Sequence, residues 1–482
     1  MSVASVIARG LRAMLGDRSA TRAIDYDGAG GGRRLRHAGE MPLPLAAQIN
    51  ARMPLARRAR YLVGSNGYAA AGVSAWESAL VGSGIKPQSA HPVPEMRAKI
   101  NAAFNTWTRT ADADGLLDFY GLQALAARRL VTDGEVFSIF THADNELRLR
   151  MVDGEQVNGA YHAELSYGSR VVSGIEFDVN GKRTAVHMWK QRPGLPVSIT
   201  LELIRIPIED VCQVFRLETP GQVRGVSWFA PVLLRLVDLD SAHDAQLMRQ
   251  KVAALLTGFV IDPNGAAAGF EGRPEYDGGL ESGLEPGELK VLRPGQDIRF
   301  SDPARVGREV IEFLEITAAE IAAGLGVPYE QLTTDLRRVN FSSIRAGLVE
   351  FRRRVEAIQF NVLIHQFCDP VWRRWITTEV LAGRLDAPGF ERDPEPYFAA
   401  NWLPPKTHWV DPLKDAEGEV VAIQAGLMSR RQAVAQRGYD LEALDKEIAE
   451  DNANAKSLGL DFAAPPAPPA RVPASQPDGD TA

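Results

Sequence analysis

Arg337 and Arg338, with Asn340 two residues on, lie between two amphipathic segments and are the residues of this chain best placed to meet an anion. Guanidinium groups hold phosphate or carboxylate through paired N–H donors. Their chemistry is therefore recognition, not bond breaking. Other candidates fall away on spacing. Residues 27–36, DGAGGGRRLR, bring glycines next to Arg33, Arg34 and Arg36. They lack the Gly-Lys-Ser/Thr ending of a P-loop and a strand before it, and read as a flexible basic arm. Asp112, Asp114 and Gly115 begin like a calcium loop whose remaining ligands are missing, so a helix N-cap region is the better account. His365 near Cys368 reads as helix packing, and the remaining histidines are scattered. There is no His-Glu-x-x-His, no Cys-x-x-Cys and no Gly-x-Ser-x-Gly elbow. No catalytic constellation, metal site or cofactor site can be assembled.

The elements that position the two arginines span Glu309 to Leu385. In the first helix Leu314, Ala318, Ile321 and Leu325 share one face. Glu309, Glu312 and Glu315 sit near its positive N-terminal end, and Gly324, Gly326 and Pro328 stop it. The second starts at Ser342 or Ser343, either of which can cap it. Ile344, Leu348, Phe351, Val355, Ile358 and Val362 form its apolar stripe, with Arg345, Arg352, Arg353 and Arg354 on the opposite faces.

The chain of 482 residues is 45% apolar and 24% charged, an ordinary globular composition, and carries a net charge of -7. That balance argues against a protein that clamps nucleic acid over its whole surface. Cys212 and Cys368 read as two buried thiols in a reducing compartment. No apolar run is long enough to cross a membrane, and the N-terminus lacks a signal-peptide pattern, so cytoplasmic synthesis is expected.

Helices are expected with Leu55, Ala59 and Leu62 on one face, then with Met96, Ile100, Phe104 and Trp107 on another. Arg57, Arg58 and Arg60 on the first of these form either a solvated face or an intersubunit contact. A helix near 117–132 leads into a strand at Gly134-Glu-Val-Phe. From Leu147 to Leu217 the pattern turns to strands, with a hairpin at Asn180-Gly181. After Pro231 a helical pattern runs about twenty-five residues, roughly 37 Å. Glycine- and proline-rich sequence with short strands covers 264–302, and a proline-rich tail follows Ala463.

The stretches AGLGVPYEQLTTD (323–335) and NFSSIRA (340–346) resemble the signature of the lambda-type portal proteins of tailed bacteriophages. VGSGIKP (81–87), DGEVF (133–137) and WVDPLK (409–414) extend the likeness in the family's order, so that it covers about Ile49 to Leu460. The resemblance implies an α+β portal fold: long stem and tunnel helices, a β-rich clip insertion, a mixed α/β wing and a helical crown. The implied divisions are a basic arm (1–40), wing (41–116), first stem helix and strand (117–146), clip (147–224), second stem helix (225–258), wing again (259–308), tunnel helices and loop (309–385), crown (386–460) and tail (461–482). It implies a homododecameric ring in the virion that passes double-stranded DNA, with terminase, the major capsid protein and scaffold, and a head-completion or tail connector protein as partners. It implies no enzymatic activity, no cofactor and no membrane. In a channel, an acidic balance would avoid strong attraction that brakes sliding DNA. Arg337, Arg338 and Asn340 would then face DNA, or the two arginines would pair with acidic residues of the next subunit. Intersubunit pairing is the reading for Arg345, Arg352, Arg353 and Arg354. The reading from another class is a nucleic-acid-processing enzyme on an α+β core.

Overall fold

The computed structural model describes residues 43–192, 202–254, 258–261, 273–274, 280–281, 297–300, 308–337, 341–405, 412–437, 439 and 441–460. The chain divides into two compact units, 1–48 and 49–482; of the first, only 43–48 are described. The expected arm at 1–40, the tail at 461–482 and most of 264–302 lie outside the described residues.

Helices open the fold: α1 (Pro44–Ser65), α2 (Gly67–Leu80), α3 (Pro94–Trp107) and α4 (Phe119–Asp133), with strand β1 (Lys86–Ser89) between α2 and α3. Each has a local reason. Asn66 caps α2 by accepting from the backbone N–H groups of Tyr68 and Ala69. The expected stripe of α3 is buried at Ile100, Phe104 and Trp107. The cap of α4 is Asp118, whose Oδ1 accepts from Gly121 N at 2.7 Å. Asp112 instead accepts from the amides of Asp114, Leu116 and Leu117, which folds the preceding loop around its carboxylate. The calcium-like start is thus used up by backbone, and no cluster of metal-ligating side chains occurs among the described residues.

Strands β2 (Glu135–Ala143) and β3 (Glu146–Asp153) form a hairpin turning at Asp144 and Asn145, both with positive φ. Past β4 (Ala163–Glu164), β5 (Arg170–Val172), β6 (Ile175–Phe177), β7 (Arg183–Trp189) and β8 (Leu203–Pro207), strand β9 (Val211–Phe215) returns to the far side of β2. The order is β3-β2-β9 in one sheet and β4-β5-β6-β7-β8 in the other, all antiparallel. The hairpin expected at Asn180-Gly181 joins β6 to β7, with Gly181 at φ +80.

Alternation along the three-stranded sheet separates two cores. Val136, Phe140, Leu147, Leu149, Cys212 and Val214 face the helices, while Phe137, Val152 and Val211 face Val157, Ile175, Val186 and Met188. The helical side is aromatic. Phe104 lies edge-on to Phe119, Trp372 and Trp375 at centroid distances of 5.6, 4.9 and 5.0 Å.

The later chain holds α5 (Leu233–Ala254), the short strands β10 (Gly258–Ile261), β11 (Arg273–Pro274), β12 (Leu280–Glu281) and β13 (Asp297–Phe300), α6 (Arg308–Leu325), α7 (Tyr329–Thr333) and α8 (Phe341–Ile358). A π-helix, Gln359–Cys368, continues α8 without a break into α9 (Asp369–Leu381). After α10 (Glu395–Phe398), strand β14 (Ala400–Leu403) pairs with β1, and α11 (Pro412–Gln424), α12 (Arg430–Gln436) and α13 (Leu441–Ser457) close the chain. This is a mixed α+β architecture, as expected.

The helix expected at 117–132 and the one expected after Pro231 lie on either side of the strands along the chain and pack on different partners. Helix α4 packs on α2 and β2 and is buried along its length, whereas α5 packs on α6. The pair runs antiparallel: a β-carbon on Gly324 would sit 2.4 Å from Val232 Cγ1, and Arg235 pairs with Glu320 at 3.6 Å. Only the ends near these contacts are buried. Among the described side chains, none of 240–251 on α5 and none of 308–316 on α6 is buried.

Candidate nucleic-acid interface

The described chain leading to Arg337 is fixed by local hydrogen bonds. Trp76 Nε1 donates to the last carbonyl of α6, Leu325 O, at 3.0 Å. Helix α7 ends at Thr334, which takes the left-handed conformation at φ +56. Asp335 N then donates to Thr333 Oγ1, and Arg337 N to Asp335 Oδ1 at 3.0 Å. Arg337 folds back on the same carboxylate, with Nε–Oδ1 at 2.9 Å and Nη2–Oδ2 at 2.7 Å. That hydrogen-bonded pair holds the guanidinium above its ordinary pKa. The side chain is nevertheless 79% exposed, so a second anion can reach it in competition with Asp335. Arg338 and Asn340 lie outside the described residues.

Helix α8 begins at Phe341, one residue before the expected caps, and its stripe is packed as expected through Phe351 and Val355. The arginines do not share a face. Arg352 lines a groove of about 660 Å³ between α2 and α8, together with Ala71, Ala75, Ser78, Gln331 and Phe351. Arg353 is exposed and pairs with Glu350 at 3.6 Å. Arg354 reaches toward Gly326, where an added β-carbon would lie 3.6 Å from its Nη1. The side chain of Arg345 lies outside the described residues.

A second charged cluster was not legible as such in the sequence. Glu135, fully buried, accepts from Arg52 Nη1 at 2.7 Å, Arg224 Nη2 at 2.6 Å and Gly225 N at 3.0 Å. Arg224 also donates to the carbonyls of Ser173 and Gly154. Burial by itself would raise the Glu135 carboxyl. The charges of Arg224 and then Arg52 more than offset it, so Glu135 titrates below its ordinary value. Arg52 is pushed down to about 10 by burial and by the neighbouring Arg224. Nearby, Arg60 pairs with Asp133 at 2.8 Å and with Glu155 at 2.9 Å, and Arg57 with Glu155 at 3.3 Å. Three of the four arginines of α1, Arg52, Arg57 and Arg60, are therefore taken by partners in the same chain, and Arg58 is exposed. Gly134 and Gly225 let the backbones meet here: a β-carbon on Gly134 would fall 2.1 Å from the Val226 carbonyl carbon. The DGEVF run held the signal, since glutamate after a glycine at a strand start is an unusual core residue.

No catalytic geometry accompanies either cluster. The family model for "Phage portal protein, lambda family" matches residues 32–359, about two thirds of the chain. The chain belongs to the lambda family of phage portal proteins. A portal protein is a structural component of the phage, not an enzyme. The probable portal protein of Halomonas phage phiHAP-1 is 27% identical over 380 residues, covering 76% of this chain and 72% of that one. The portal protein of Escherichia phage N15 is 23% identical over 469 residues, covering 85% of each chain. Among solved structures, the neck of an empty gene transfer agent particle, computed with C6 symmetry, contains a chain of the same fold. Its TM-score is 0.50 at 13% identity, covering 80% of this chain and 93% of that one. The enzyme reading is thereby set aside. No helix among the described residues is long and apolar enough to cross a membrane.

Proposed function

We propose that this portal protein assembles into a homododecameric ring at one capsid vertex of the virion. Double-stranded DNA enters through its bore during packaging and leaves through it at ejection. The observation that carries the proposal is the family match across 32–359, which takes in every element from α1 to α8. A ring built from one repeated heterologous contact closes without exposed ends, which suits a channel. Terminase docks on it during packaging and a head-completion or tail connector protein afterwards. The major capsid protein and scaffold surround it, and synthesis is in the host bacterial cytoplasm.

Within that ring we assign the stem to α5 and α6 and the clip to the segment between them, 255–307. The half-exposed antiparallel pair supports this, because its unburied halves both lead to that segment. The sequence-based alternative, with a stem helix at 117–146 and the clip at 147–224, has less support. Those residues are sutured into the two cores, which suits a wing that also includes 41–116. The tunnel takes 309–385 in its later part, and the crown 386–460. We assign the loop around Arg337, Arg338 and Asn340 to the channel wall. Arg337, already shared with Asp335, offers phosphate a weak and exchangeable contact, as sliding requires. Arg345, Arg352, Arg353 and Arg354 bind the next subunit.

Negative-stain imaging of the purified protein tests the ring: particles with a central hole are expected. A particle that sediments only as a monomer at every concentration and ionic strength would defeat it. Reversing both Arg337 and Arg338 to glutamate should alter packaging or genome retention while rings still form. If the reversed protein fills and holds genomes normally, the DNA-facing assignment is wrong.

A further inference from the structure

The helix from Phe341 to Leu381 changes its winding once, over the ten residues Gln359–Cys368. A π-helix bonds each N–H one residue further back than an α-helix, and stretches beyond a single turn are rare. Within it Gln359, Val362, Leu363, Ile364, Phe367 and Cys368 are buried.

Two glutamines pin the stretch near its ends. Gln359 Nε2 donates to Leu80 O at 2.9 Å and Ala79 O at 3.2 Å, two carbonyls at the end of α2 that have no partner within their own helix. Gln366 Oε1 accepts from Phe215 N at 2.8 Å, at the outer edge of β9. The helix on either side is held unequally. In α9, Val371, Trp372, Trp375 and Ile376 are fully buried, whereas α8 buries only Phe351 and Val355 among its described side chains.

We infer that Gln359–Cys368 is a rotary joint: releasing Gln359 from α2 lets the π turns relax toward α-helix and turns α8 about its axis while α9 stays locked in the core. One motion then re-aims Arg352, Arg353 and Arg354 together. The polar grip of Gln359 on the end of α2 is the latch. Its use in a channel rests on the portal reading, but its test does not, since ring formation is scored separately by imaging.

Spin labels at Val349→Cys on α8 and Thr106→Cys on α3, both exposed positions, report the angle between α8 and the core. Labelled protein is diluted into unlabelled protein so that each distance is intramolecular. One distance is expected with Gln359 intact. With Gln359→Leu, a second is expected, shifted by up to about 10 Å, the diameter of a helix, in about a tenth of molecules or more. Gln366→Leu, which frees β9 and not α8, should leave one distance. A single unshifted distance in Gln359→Leu overturns the joint. Should that variant fail to fold, hydrogen exchange of the unaltered protein decides. Amides of 359–368 should exchange about tenfold or more faster than those of 371–376; equal protection overturns the joint. Rings without a second distance would sink the joint alone, and a second distance without rings the portal ring alone.

Discussion

Replacing Glu135 by glutamine keeps the shape of the side chain and removes the one negative charge that two buried guanidiniums share. Arg52 and Arg224 are 3% and 2% exposed, so neither can turn to water without opening the core. Breaking a buried ion pair by neutralising one partner costs about 3–5 kcal/mol, because the other charge is left without compensation. A whole domain is stable by only about 5–15 kcal/mol. In urea the transition midpoint should therefore fall by about 1–2 M. Asp445→Asn, which removes the exposed partner of Arg430, is the matched control and should leave the midpoint where it is. The pH dependence gives a second reading. Since the folded Glu135 carboxyl titrates below its ordinary 4.5, the unfolded chain binds more protons between the two values. Its contribution is therefore complete above pH 4.5 and is lost as pH falls through the depressed folded value. The variant should lack that acid-side loss. If Glu135→Gln and Asp445→Asn unfold at the same urea concentration, the cluster does not hold the fold together as argued.

Gly134→Ala should prevent folding or lower the melting temperature sharply. Residue 134 has φ +87 and its β-carbon would enter the Val226 backbone; a normal melting curve would contradict the packing of the two glycines. Cys212, raised to about 12 by burial, and Cys368, raised further by burial and by Cys212, should not react with a thiol reagent at pH 8 until the protein is unfolded. Rapid labelling of the native protein would show that the sheet and helices open locally there.

Much of the fold was legible in the letters. The apolar stripes of α3, α6 and α8, the hairpin at Asn180-Gly181 and the stop at Gly326 follow from periodicity and local backbone preference, which act over a few residues. The family was legible for a related reason, since its signature lies in contiguous runs such as AGLGVPYEQLTTD. The amphipathic helices around Arg337 were found in the same way, but not the bidentate hold of Asp335 on its guanidinium. The sequence set the helices at 117–132 and after Pro231 on either side of the strands, but did not show that α5 packs on α6. Nothing in a linear pattern marks which two amphipathic faces will meet, because similar apolar stripes suit several partners. Winding was equally hidden: Gln359–Cys368 has an ordinary helical composition, and the wider turn is seen only in the structure, where Gln359 and Gln366 bond to α2 and β9. Residue type and near-neighbour spacing decided where helices and strands form. Long-range burial decided how they pair, and which charges, such as Glu135 with Arg52 and Arg224 at 83 and 89 residues' separation, must neutralise one another once water is gone.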